Sequence, residues 1–236
     1  MPTYDGDYDS GTAFFREEYQ LDYQIGTYPK PVIALIHGVV MGGGVGLSCH
    51  ATFRVATEKT LFAMPETGIG LFPDVGGGYF LPRISHPGLG LFLGLTGERI
   101  KGGNCQHANI ATHTVSSGSL ENLEKSLSNL PQNVSKEEID DVIQGYQTPL
   151  DPFVLADQLG NIEKYFSNPE SLVALTHALE AADGSWEQKI AKKLRSMSPT
   201  SLAITFKQIM DGGKMSMEDV FSMEYRLGQL NKEISY

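Results

Sequence analysis

Residues 31–82, PVIALIHGVVMGGGVGLSCHATFRVATEKTLFAMPETGIGLFPDVGGGYFLP, decide how this chain folds. Pro31 to Ile36 is a β-branched and apolar run of the length of a buried strand. Gly42-Gly43-Gly44 follows, so the backbone there can approach another group with no side chain in the way. Val45 to His50 has the composition of a short helix opening directly after those glycines. A helix amino end presents free N–H groups and partial positive charge, which suits stabilisation of a developing oxyanion. Arg54-Val55-Ala56 is a second strand, and Thr57-Glu58-Lys59 turns the chain toward Met64-Pro65-Glu66-Thr67. Eight residues beyond Glu66 lies Asp74, in Pro73-Asp74-Val75-Gly76-Gly77-Gly78. Two acids in apolar loops rich in glycine and proline, downstream of an oxyanion-type turn, point to acyl chemistry.

Three pieces of this stretch, HGVVMGGGVGLS at 37–48, FAMPETGIGLFPDVGGGYFLPR at 62–83 and the spacing between them, resemble the crotonase (enoyl-CoA hydratase/isomerase) superfamily. The FREEY run at Phe15 to Tyr19 matches too, and the likeness extends from about Phe14 to about Leu230. The nearest likeness is to a branch that hydrolyses the thioester of a short branched 3-hydroxyacyl-CoA in branched-chain amino-acid degradation. That resemblance implies an α/β fold, a crotonase-like (ClpP/crotonase) core followed by a helical C-terminal region. It implies a mitochondrial location and no metal or redox cofactor, CoA being part of the substrate. It also implies a longer chain: a strand-rich segment ahead of Phe14 carrying a second oxyanion donor and much of the CoA contact, and a longer tail. By that measure the core is incomplete, with only about three or four strands legible and an open sheet edge.

The resemblance carries roles residue by residue. Gly43 is expected to donate its amide to the thioester oxygen; the bland alternative is a glycine kept for a tight strand-to-helix turn. Glu66, behind a proline in an apolar setting, is expected to have a raised pKa and to act as general base or nucleophile; otherwise it is a surface acid at the start of a turn. Asp74 is expected to bond the substrate's 3-hydroxyl or orient water; otherwise its side chain caps the amides of Val75 to Gly77. Glu18 is expected to contact substrate; without the resemblance it is a helix-surface acid. The hydratase branch uses a second glutamate twenty residues before Glu66, and here that position is Gly46. The loss argues against water addition across a double bond. Two alternatives to the hydrolase stand: an enoyl-CoA hydratase or isomerase, and an inactive binding or regulatory fragment.

Other patterns lead nowhere. Gly46-Leu47-Ser48-Cys49-His50 starts like a nucleophile elbow but ends in His. Gly44-Val45-Gly46 starts a dinucleotide loop but has Cys49 at its last position. His37 reads as a hydrogen-bonding residue at a strand end, and His50, His107, His113 and His177 are scattered, with no metal spacing. Phe80, Leu81 and Phe92 read as core.

The 236 residues carry a formal net charge of −10 and two cysteines, Cys49 and Cys105. No basic cluster points to nucleic acid, and no apolar run approaches the ~20 residues of a membrane span. The cysteines lack CxxC or zinc spacing and read as reduced thiols of an intracellular protein. A small-molecule acyl-CoA is the expected partner, with oligomeric state open. The opening MPTYDGDYDSGT has neither signal-peptide nor transit-peptide character. Residues 1–13 read as a disordered lead, 14–130 as the partial α/β core and 131–236 as the helical region. Helices are expected at 14–25, 89–95, 100–110, 120–130 and from Ser135, whose side chain and Glu138 form a capping box. Further helices are expected at 153–166, 169–182, 184–197, 199–211 and 216–230, with Ser198-Pro199 a strong start.

Overall fold

The computed structural model describes residues 8–234, with side chains from Ala13 to Leu230. Strand β1 (Ile33–Ile36) pairs in parallel with β3 (Phe53–Thr57), which pairs in parallel with β6 (His113–Val115). Side chains alternate across this sheet with the period of two that a strand imposes. Ile33, Leu35, Phe53, Val55 and Val115 face one cluster, built with Leu123 of α6 (Leu120–Ser128) and Ile139 and Ile143 of α7 (Lys136–Gln144). Ala34, Ile36 and Ala56 face the other way, into the larger core. The sheet therefore divides two apolar clusters, and the expected boundary at 130/131 falls between two helices that pack together on one of its faces.

A second small sheet joins β2 (Val39–Val40), β4 (Leu61–Phe62) and β5 (Ile100–Lys101), with β2 and β4 parallel and β4 and β5 antiparallel. Six strands in two sheets among the described residues correct the expected three or four. The pieces missed are two residues long, too short to show periodicity. Ile100 and Lys101 are strand, so the expected helix over 100–110 shrinks to α5 (Asn104–His107). Among the described residues β1 lies at the edge of its sheet.

Between β2 and β3 runs α2 (Gly43–Cys49), and before β1 lies α1 (Tyr8–Thr27). Helix α1 corrects the expected lead: Tyr8 to Ala13 are helical, because an established helix gains a hydrogen bond with each added residue. Residues 1–7 of that lead lie outside the described residues. Beyond Glu66 come α3 (Gly77–Phe80) and α4 (Leu89–Thr96), and all eight residues of α4 are buried. Phe80, Leu81 and Phe92 are core, as expected.

The remaining helices are α8 (Leu159–Phe166), α9 (Leu172–Glu180), α10 (Ser185–Arg195), α11 (Pro199–Gly212) and α12 (Met217–Ile234). Both expected starts form: Ser135 Oγ accepts from Glu138 N while Glu138 Oε2 accepts from Ser135 N, and Ser198 Oγ accepts from Ser201 N above Pro199. Helices α11 and α12 return to the N-terminal half, where α12 packs on α1 and both pack on α3. Cys49 and Cys105 are free thiols. No described helix is long and apolar enough to cross a membrane.

Candidate active site

Strand β1 delivers the chain through β2 to the glycine turn, and Gly42, at φ 52°, caps α2. Such a φ is costly for residues with a Cβ. The amides of Gly44, Val45 and Gly46 turn back onto Met41 and Gly42 carbonyls, whereas the Gly43 amide meets no acceptor among the described residues. Helix α1 lies over this turn. Its Glu18 comes so close that a Cβ built on Gly43 would stand 2.5 Å from Glu18 Oε1. A side chain at 43 would have to push the end of Glu18 aside, while the positive φ of the turn falls on Gly42.

Glu66 opens a 3-10 turn at Glu66–Ile69. It is only 4% exposed, and its Oε2 has no hydrogen-bond partner. Burial, aided by the charge of Asp74, raises its carboxyl to about 8. It is therefore no surface acid. The same cause raises Glu18 to about 7, again with Asp74 adding to burial.

Asp74 is 5% exposed and sits at the start of a strained loop. Val75 takes φ 51°, an outlier for a β-branched residue, and Gly76 follows at φ 83°. Strain of this kind persists where the surroundings over-determine it, and here four residues hold the loop. Tyr19 donates its hydroxyl to Asp74 Oδ2 at 2.9 Å. The Gly76 and Gly78 amides donate to Glu224 Oε2 and Oε1 at 2.7 and 2.8 Å. Gln208 Nε2 donates to the Pro73 carbonyl at 2.6 Å and to Glu224 Oε1 at 2.8 Å. His50 Nε2 donates to the Val75 carbonyl at 2.8 Å; burial lowers this imidazole to about 4, so the ring is neutral. With Gly76 bound by Glu224 and Gly77 bound by the Asp74 backbone carbonyl, two of the three amides that an Asx turn would use are occupied. The Asp74 carboxyl accepts instead from Tyr19. Burial raises it to about 6, against the lowering effect of the Tyr19 bond.

The four residues singled out in the sequence fall into one group: Glu18 lies on Gly43, and the Asp74 charge acts on both Glu18 and Glu66. An unclaimed amide, a carboxyl poised near 8 and a second near 6 can hold a carbonyl oxygen and deliver or activate a nucleophile. The sequence reading missed Tyr19, Asp22, His50, Gln208 and Glu224. Asp22 had a legible signal, standing four residues after Glu18 on the same helical face. Gln208 and Glu224 had none, because they reach the loop from helices 135 to 148 residues downstream. Among the described residues no group of three His, Cys, Asp or Glu side chains is placed to hold a metal ion.

A family model for enoyl-CoA hydratase/isomerase matches residues 3–231. The chain is 54% identical over 222 residues to a protein of Danio rerio named mitochondrial 3-hydroxyisobutyryl-CoA hydrolase, and 49% identical over 222 residues to the Homo sapiens protein of that name. Each match takes in 92% of this chain and 57% of the relative, so the chain spans little more than half the length of these relatives. Among solved structures, a carnitinyl-CoA dehydratase from Mycobacterium thermoresistibile superposes with a TM-score of 0.85 at 30% identity, over 95% of this chain and 64% of that one. An enoyl-CoA hydratase from Rhodobacter sphaeroides 2.4.1 gives 0.79 at 32% identity, over 95% and 63%.

Proposed function

The chain belongs to the enoyl-CoA hydratase/isomerase family, with a crotonase-like fold, and on that premise we propose that its site hydrolyses an acyl-CoA thioester, with 3-hydroxyisobutyryl-CoA as substrate. The products are 3-hydroxyisobutyrate and CoA, a step of valine breakdown. The observation that supports this reading best is the buried Glu66 carboxyl, raised to about 8 by burial and by the charge of Asp74. The names of relatives near 50% identity point the same way and suggest the mitochondrion.

In this mechanism the thioester oxygen lies on the Gly43 amide, a donor worth roughly 3–4 kcal/mol in a comparable transition state. Glu66 either takes a proton from water as it attacks the carbonyl carbon, or attacks that carbon itself to give a mixed anhydride that water then opens. Asp74 holds the water or the 3-hydroxyl, Glu18 closes the wall beside Gly43, and the CoA thiolate leaves and is protonated. The reaction calls for no metal or redox cofactor.

A second reading is water addition to an enoyl-CoA. One observation favours it: the carboxyl of Asp22 stands in front of Gly46, so a carboxyl occupies the region that residue 46 leaves open. Thiol release separates the readings. Purified chain supplied with 3-hydroxyisobutyryl-CoA releases free thiol, and Glu66→Gln cuts that release by roughly 10²-fold or more. Turnover of crotonyl-CoA without thiol would overturn the hydrolase reading, and no turnover of either would leave a binding fragment. Single-turnover hydrolysis in heavy-oxygen water then assigns Glu66: label in its carboxyl marks the anhydride, label in product alone marks the general base.

A further inference from the structure

The face of α1 that presents Glu18 presents another acid one turn on, Asp22. It is 0% exposed, and neither of its carboxyl oxygens has a hydrogen-bond partner. The carboxyl lies against α2: a Cβ built on Gly46 would stand 2.7 Å from Asp22 Cγ and 2.8 Å from Oδ1. Helix α1 thus sets two carboxyls against two glycines of one short helix, Glu18 at Gly43 and Asp22 at Gly46. The charges of Glu18 and Asp74 both act on Asp22, which places it in the same group of acids.

A buried carboxyl with no partner is unfavourable in either protonation state, and the ionised form is the worse of the two. Burial first, then Glu18 and Asp74, raises Asp22 to about 8. Near neutrality it is mostly the neutral acid, with one O–H to give and a carbonyl oxygen to receive. An alcohol satisfies both. Gly43 and Gly46 are one turn of helix apart, on the order of 5 Å, which is the scale of a three-carbon acyl unit reaching from its carbonyl to a terminal hydroxyl.

We infer that Asp22, whose carboxyl fills the space beside Gly46, is the specificity residue of this site and binds the hydroxyl of the acyl group. The inference rests on the acyl-CoA reading above and deepens it. It divides the work of the acids: Asp22 takes the acyl hydroxyl, and Asp74, with Oδ2 already bonded to Tyr19, is left for water.

The test compares dissociation constants of 3-hydroxyisobutyryl-CoA and isobutyryl-CoA, which differ by that hydroxyl alone, for the unaltered chain, Asp22→Leu and Asp22→Asn. The unaltered chain binds the hydroxylated thioester more tightly, by roughly tenfold or more. Asp22→Leu brings the ratio of the two constants toward one, while Asp22→Asn, which keeps a donor and an acceptor, retains it. An unchanged ratio in Asp22→Leu overturns the inference, as does an equal loss for both thioesters, which marks a structural role. A ratio of one in the unaltered chain overturns it too. Thiol release measured on the same samples keeps the two readings apart. Selective binding without release sinks the hydrolase and leaves Asp22 in place. Release with no hydroxyl preference does the reverse.

Discussion

The hydroxyl of Tyr19 donates to Oδ2 of Asp74 at 2.9 Å across 55 residues of sequence, and this bond offsets part of the rise that burial gives the Asp74 carboxyl. Both partners are buried, and the bond favours the carboxylate. In Tyr19→Phe that support is gone, so Asp74 titrates above its value of about 6. In the profile of kcat/KM against pH, the lower of the two breaks on the acid side moves upward. A break that stays in place shows that Asp74 need not be ionised for turnover.

In the proposed mechanism Glu66 supplies the upper break. Its carboxyl must lose a proton to act, and burial holds it at about 8, so kcat/KM climbs through the neutral range and levels off above about 8. Glu66→Gln lowers kcat by roughly 10²–10⁴-fold, the usual worth of a positioned base. In Asp74→Asn the neighbouring negative charge is absent, and the Glu66 break moves to lower pH even as the maximum falls.

Glu224 accepts from two amides of the loop that carries Asp74. Glu224→Gln replaces an acceptor with an NH2 facing an N–H. Loss of such a bond leaves a buried N–H without a partner and costs about 1–3 kcal/mol, and the melting temperature falls by roughly 5 °C. Because the loop loosens around Asp74, kcat falls as well in the fraction that remains folded. A variant that melts lower with kcat intact places Glu224 in the scaffold alone.

Stability falls as pH rises from the ordinary carboxylate range to about 8. Asp22 is raised to about 8 in the folded chain, well above its ordinary carboxylate value. Between those two values the folded chain keeps a proton that the unfolded chain releases. The stabilisation is complete below the ordinary carboxylate value and is lost as pH rises through about 8. Asp22→Asn removes the Asp22 share of this dependence, while the raised carboxyls of Glu18, Glu66 and Asp74 keep theirs, and it is the more stable form at pH 8, by about 1 kcal/mol or more. Denaturant melts at pH 6 and pH 8 measure the difference, and equal slopes for the two proteins refute it.

Gly46 and Asp22 are coupled. Gly46→Ala drives a methyl group into the Asp22 carboxyl and costs about 1–3 kcal/mol, the usual range for overpacking. In an Asp22→Ala background that cost largely disappears, and the double-mutant cycle shows a coupling energy of 0.5 kcal/mol or more. Additive losses would mean that the two residues are not in contact.

Much of the site was legible because its parts are local. The glycine turn, MPET and FPDVGGG are each a few residues long, and residue type at close spacing fixes what each can present. Gly43, Glu66 and Asp74 could therefore be named along with the strand, turn and helix between them. Helix starts at Ser135 and Ser198 were legible for the same reason, since a cap is a contact within four residues. The short strands β2, β4 and β5 were not, because two-residue pieces exist only through their partners.

By itself the sequence determined the glycine turn, the two acids after it and the family they mark, since these depend on backbone freedom and residue chemistry within a short span. Only the tertiary structure decided how deeply those acids are buried and what holds them. Burial of Glu66 and Asp74 depends on walls from the whole chain. Glu224 and Gln208 grip the Asp74 loop only because α11 and α12 fold back onto it. Asp22 meets Gly46 because α1 crosses α2 at a distance that glycine alone permits.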